Sequence, residues 1–169
     1  MAEWRTEGCG TRREPERVEA VTGAMLVTPA DLATVLARVE SAGRVRFPES
    51  FAGLEVDQAA VRGIVYRVPS ADFDAFLRAE GAEVCLEVRD ARHDLRTLLT
   101  LQERVVADLG HWRAAGIEIG VVGCRHDGTG VEVGTRQVAQ AEDQLPRRYG
   151  AEVPIFVRDE APPRPLIGQ

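Results

Sequence analysis

Apolar residues in this chain recur with two periods, and the switches between them mark out the elements. Leu32, Val35, Leu36 and Val39 have the i, i+3, i+4, i+7 spacing of an amphipathic helix. Thr28-Pro29 supplies its start and Gly43 a stop. Leu54 and Val56 alternate with acidic residues, and Ile64, Tyr66 and Val68 alternate with Val65 and Arg67, which predicts two paired strands. Ser70, with Asp72 behind it, caps a second helix that carries Phe73, Phe76 and Leu77 and ends at Gly81. Val84, Leu86 and Val88 form the next strand. A longer helix is predicted over about 92–115, with Leu95, Leu98, Leu99, Val105, Val106, Leu109 and Trp112 largely on one side. Two more strands are predicted, through Ile117, Ile119 and Val121 and through Val131 and Val133, around the turn signal His126-Asp127-Gly128-Thr129-Gly130. A helix beginning at Thr135 is shortened or kinked by Pro146 and ended by Gly150, before a last strand through Val153, Ile155 and Val157.

The pattern repeats. Gly81 to Asp90 (GAEVCLEVRD) returns as Gly150 to Asp159 (GAEVPIFVRD), identical at seven of ten positions. With a strand at Ala24-Met25-Leu26-Val27 ahead of the first helix, the order is β-α-β-β-α-β-α-β-β-α-β. This predicts an α+β fold of two ferredoxin-like (split βαβ) units, with helices on one face of mostly antiparallel sheets. The expected organisation is a poorly ordered arm over 1–22, a first unit over 23–90, a second over 91–159 that opens on the long helix, and a Pro-rich tail over 160–169.

Composition narrows the function. The net charge of -6 over 169 residues disfavours nucleic acid or an anionic membrane as a partner. The sequence holds neither Lys nor Asn, so all 21 basic residues are Arg. Both missing residues have AT-rich codons, and a GC-rich, bacterial genome accounts for this. Without lysine there is no Schiff base and no P-loop lysine. No apolar run approaches the ~20 residues of a membrane helix. The N-terminus lacks the apolar core of a signal peptide, so the expected location is the cytoplasm, or outside the cell if a leader has been removed. Cys9, Cys85 and Cys124 lack CxxC spacing, and the latter two sit in strand-like runs. They read as buried, inert thiols in preference to a disulfide or a nucleophile.

No constellation for catalysis, metal or cofactor is evident. His126-Asp127 reads as a polar turn, His93 and His111 as surface residues, and the glycines from 120 to 130 lie in a hairpin rather than before a helix. Pro154 is more informative, because proline cannot donate to a ladder, so the strand is an edge or the proline points away from a neighbour. Phe156 replaces the first copy's Glu87 on the side opposite Val153, Ile155 and Val157, and is a candidate partner contact. Pro165 and Leu166 in the tail are candidates for groove binding.

The segment from Phe51 to Asp159 resembles the pro-regions of secreted bacterial serine proteases of the alpha-lytic protease and streptogrisin kind. The resemblance is carried by Phe51 to Asp57 (FAGLEVD), the Asp94-Leu95 helix start, Asp127 to Gly134 (DGTGVEVG), and Tyr149-Gly150 before Val153. It implies αβ units that fold and then inhibit a protease, by strand pairing with the partner and a tail near its active site. The leading expectation is thus a non-enzymatic protein-interaction module that uses a sheet edge or the tail and is prodomain-like. The alternative is a small-molecule-binding regulatory domain with its site between the two repeats, on fold analogy. An enzyme of unrecognised type ranks last.

Overall fold

The computed structural model describes residues 3–21 and 23–161. They form an α+β protein of two compact units. The first comprises residues up to Leu95 together with His126–Gly128, and the second Arg96–Arg125 and the residues from Thr129 onward.

In the N-terminal unit, α1 (Ala30–Val45) is succeeded by β4 (Phe51–Asp57), β5 (Arg62–Arg67), α2 (Ala71–Glu80) and β6 (Leu86–Asp90). Ahead of α1 lie β1 (Glu3–Arg5), one 3-10 turn (Glu7–Gly10), and the hairpin of β2 (Glu16–Ala20) and β3 (Gly23–Val27). The sheet order is β1-β6-β5-β4, with β5 and β6 parallel and the other neighbours antiparallel. In its main core Leu32, Val35, Leu36 and Val39 of α1 meet Phe73 and Leu77 of α2 over Phe51, Val65, Leu86 and Val88 of the sheet, and Ala52, Ile64, Tyr66 and Ala91 form a smaller cluster. The Ser70 side chain caps α2 at the Phe73 amide and Gly81 closes it, as its pattern predicts.

The C-terminal unit contains α3 (Leu95–Ala107), α4 (Leu109–Ala114), β7 (Ile119–Cys124), β8 (Val131–Thr135), α5 (Val138–Tyr149) and β9 (Ile155–Asp159). Its sheet order is β7-β8-β9, β7 antiparallel and β9 parallel to β8. Leu98, Leu101, Val105, Trp112, Ile117, Val131, Val133, Ala141 and Leu145 form its core. The unit therefore repeats the helix-strand-strand-helix-strand order of the first. The recurrence extends to defects: a bulge between Phe51 and Gly53 in β4 returns between Ile119 and Val121 in β7. The amide of Gly63 donates to the Cys85 carbonyl, and that of Val131 to the Pro154 carbonyl, each at 3.0 Å.

Several expectations change. A split βαβ puts a strand between the two parallel strands that a helix joins. Here β5 and β6 are direct neighbours, and the Ala24–Val27 run is extruded into β3, which among the described residues pairs only with β2. Residues 3–20, expected as a poorly ordered arm, carry two strands and the 3-10 turn. β1 pairs with β6, and Arg13 makes a bidentate pair with Asp31. Cys9 and Cys85 are joined in a disulfide, not left as thiols. Their separation of 76 residues offers no spacing signal. Cys124 remains a half-buried thiol, its Sγ donating to Gln102 Oε1 at 3.2 Å. The predicted 92–115 helix is broken at Asp108 into α3 and α4. Gly43 does not stop α1, which runs on to Val45; the missing Cβ instead makes room for the Phe51 ring, whose Cγ would stand 2.5 Å from it. Thr135 lies in β8 rather than in a helix, donating to the Glu118 carbonyl, and α5 continues to Tyr149 past Pro146.

Candidate interaction surface

β9 is the outer strand of its sheet, as expected, but Pro154 stands just before it and faces β8, so the missing N–H is not what places the strand at the edge. Proline costs nothing at that position on the β8 side, since the ladder uses its carbonyl, and the first copy uses the Cys85 carbonyl in the same way. A parallel ladder engages alternate residues. The amides of Val131 and Glu160 donate to the carbonyls of Pro154 and Thr135, so Pro154, Phe156, Arg158 and Glu160 face β8 through their backbones. The peptide groups of Ile155, Val157 and Asp159 point outward. Among the described residues no strand pairs with them.

The N-terminal unit shows what fills this position. There β1 lies antiparallel along the same side of β6, with Glu3 opposite Arg89, Trp4 opposite Val88 and Arg5 opposite Glu87. In the repeat these three sheet positions are Arg158, Val157 and Phe156.

The side chains of β9 divide by alternation. Ile155 and Val157 pack on the core, while Phe156 and Arg158 lie on the opposite face. Phe156 is 38% exposed, high for a residue of its size, with the Arg125 guanidinium 4.7 Å from its ring centre. The ring rests against Gly130, where a Cβ would stand 2.9 Å from Cε2. Arg158 reaches Glu132 and Glu160, both at 2.6 Å. The result is an apolar plate framed by ion pairs beside a row of outward peptide groups, the arrangement that receives an added strand. Pro165 and Leu166 lie outside the described residues.

On the corresponding face of the N-terminal unit the polar groups are saturated. Glu87 is fully buried and accepts from Arg5, Arg62 and Arg89. Burial opposes its charge, but the Arg89 hydrogen bonds and the Arg62 charge hold its carboxyl below the usual range. The Tyr66 hydroxyl donates to Glu55 at 2.9 Å, and His126 Nε2 lies 2.9 Å from the same carboxylate. Burial raises the Tyr66 pKa, with Glu55 adding to it. His126 and Glu55 are a paired imidazole and carboxylate, and among the described residues no metal-holding group of three His, Cys, Asp or Glu accompanies them. His93 is half-buried, with its pKa lowered by that burial and then by Arg92, and His111 stacks edge-on to Trp112. No helix among the described residues is long and apolar enough to cross a membrane.

The pairing of Arg125 with Phe156 and the hub at Glu87 escape a reading of the sequence by motif. Their one signal is the Glu87-to-Phe156 change, one of three differences within the ten-residue repeat. No protein-family model matches this chain, and comparisons with curated proteins and with solved structures found no significant match.

Proposed function

We propose that this chain is a non-enzymatic protein-interaction module that receives a partner's strand along the outer edge of β9, with Phe156 as its apolar anchor. One observation carries the reading: the same edge on the other copy of the repeat is closed by β1, and on β9 it is open among the described residues. Main-chain hydrogen bonds from Ile155, Val157 and Asp159 would supply affinity, and the Phe156, Arg125 and Arg158 face specificity. The narrower reading is prodomain-like, with a secreted serine protease as the partner. The Cys9–Cys85 disulfide fits that setting, since disulfides persist in oxidising compartments.

The test is affinity capture from host lysate and culture medium with wild-type and Phe156→Glu baits, then hydrogen exchange on the recovered complex. A protein held by wild type alone, with new protection at the Ile155, Val157 and Asp159 amides, is expected. Equal capture by both baits, or protection elsewhere only, would overturn the reading.

A further inference from the structure

The N-terminal strand that closes the β6 edge is held by a bond that chemistry can undo. β1 is three residues long, shorter than the ~5–6 of an ordinary strand. Beyond its pairing, residues 3–10 are fixed by a few contacts, among them the ion pair of Arg5 with the buried Glu87 at 2.9 Å. Thr6 donates through its amide to the Leu86 carbonyl and bridges Val84 and Leu86 through its hydroxyl, each at 3.0 Å. Gly8 donates to the Gly81 carbonyl at 3.1 Å, and its Cα lies so close to Val84 that a Cβ would stand 2.3 Å from the carbonyl oxygen. Trp4 is only partly buried on the rim of the core, under Arg78. The buried core itself is drawn from residues 32–88, with Trp4 packed against its rim and the Gly8 backbone against Val84. The stretch between this segment and α1 is tied down sparingly: among the described residues β2 and β3 pair only with each other, and Arg13–Asp31 and Gln58–Thr28 are side-chain contacts. Against this, Cys9–Cys85 is a covalent clasp at the end of the strap, and both cysteines are half-buried rather than enclosed.

We propose that Cys9–Cys85 is a redox latch: its reduction lets residues 3–10 leave the sheet and bares the outer edge of β6, the counterpart of the open edge of β9. The step is thiol–disulfide exchange with a dithiol reductant of the thioredoxin class. A reductant thiolate attacks one sulfur, the Cys9–Cys85 bond breaks, and the mixed disulfide is resolved by the second reductant thiol. The protein gains two electrons and two protons as two thiols, and the reductant leaves as its disulfide. Opening is local because its cost falls on the groups the strap covers: Trp4 leaves the rim of the core, Val84 loses the Gly8 backbone packed on it, and Glu87 loses Arg5 but keeps Arg62 and Arg89. What the bared edge then binds rests on the function proposed for β9; the release of the strap does not.

The experiment uses the full chain, oxidised or treated with dithiothreitol under native conditions, and needs no partner. Hydrogen exchange at the Leu86 and Val88 amides and tryptic cleavage after Arg5 read the strap, and the β5 and β8 amides read the two cores. On reduction, exchange at Leu86 and Val88 is expected to rise at least tenfold and Arg5 to become cleavable, with the β5 and β8 amides unchanged. A Cys9→Ser/Cys85→Ser variant should show the released pattern with or without reductant. Unchanged protection after reduction, resistance of the bond to the reductant without denaturant, or an equal rise in exchange throughout the N-terminal unit would each overturn the latch. A strap that releases while β9 captures no partner would refute the proposed function and leave the latch standing.

Discussion

Glu87 tests how the N-terminal unit is held. The carboxylate is fully buried, with Arg5 Nη2 at 2.9 Å, Arg62 Nη1 at 2.6 Å and Arg89 Nε at 2.8 Å. Glu87→Gln keeps the shape and one acceptor but removes the charge and turns an NH2 group toward donors. Each charge-assisted bond contributes ~1.5–3 kcal/mol, and breaking a buried pair costs ~3–5 kcal/mol. The three arginine side chains are 56%, 25% and 36% exposed, so water takes over part of what they lose. That places the expected loss at the lower end, about 2–3 kcal/mol. The effect has a pH signature. Because the folded carboxyl titrates below its ordinary value of 4.5, its contribution is complete above that pH and is lost as pH falls through the lower folded value. Urea-dependent hydrogen exchange of the β5 and β6 amides reads this unit apart from the other. The wild type should exceed Glu87→Gln by that amount at neutral pH, and the gap should close toward strong acid. A gap under about 0.5 kcal/mol at neutral pH, the range of ordinary surface changes, or one that persists unchanged into strong acid, would refute the reasoning.

Three further outcomes are expected. Gly43→Ala should destabilise by about 1–3 kcal/mol in a urea melt, because its Cβ meets the Phe51 ring at 2.5 Å; if Gly43 were merely a poor helix residue, alanine would stabilise by up to ~1 kcal/mol. Val133→Asp places a charge at a fully buried position of β8, with Val122 and Val157 opposite it on the flanking strands, and should abolish the cooperative transition of the C-terminal unit. A calorimetric melt near that of wild type would contradict the β8 register. Hydrogen bonds from Arg148 and Tyr149 lower the Asp108 pKa to about 2, so a carboxyl NMR titration should find it ionised well below 3.8, its contribution present above that value and fading as pH falls toward 2. A midpoint near 3.8 would show that the pairs are not kept in solution.

Elements with a long period or a cap are legible in the sequence. The α2 helix announces itself through Ser70, Phe73, Leu77 and Gly81, whereas Pro154 suggests an edge for a reason the structure does not use, since its backbone faces β8. The features that escape are decided by contacts remote in sequence. Three residues of β1 cannot display a period, and charges at Glu16, Arg17 and Glu19 hide β2. The apolar run of β3 has the composition of a core strand, and nothing local states that its neighbour is β2. The bulge in β7 moves Val122 and Cys124 onto the core side, out of phase with the alternation that begins at Ile117. Gly43 misleads because a close approach and a helix stop call for the same residue.

The repeat also explains its own largest mismatch. Glu87 is tolerated in a fully buried position because three arginines meet it, and each has a distinct source: Arg5 from the added strand β1, Arg62 from the start of β5, and Arg89 from β6 itself. In the second copy only the last survives, as Arg158. The register places Gly130 where Arg62 stands, and no β1 equivalent lies beside β9 among the described residues. A glutamate there would lose two of its three partners, and Arg158 is already engaged by Glu132 and Glu160. Phenylalanine answers both changes, since its ring fits over Gly130 and asks for no counter-charge. The exchange of Glu87 for Phe156 is therefore coupled to the state of the edge. Where β1 lies along the edge the face is wired with charge, and where no described strand does the face is apolar and flanked by Arg125.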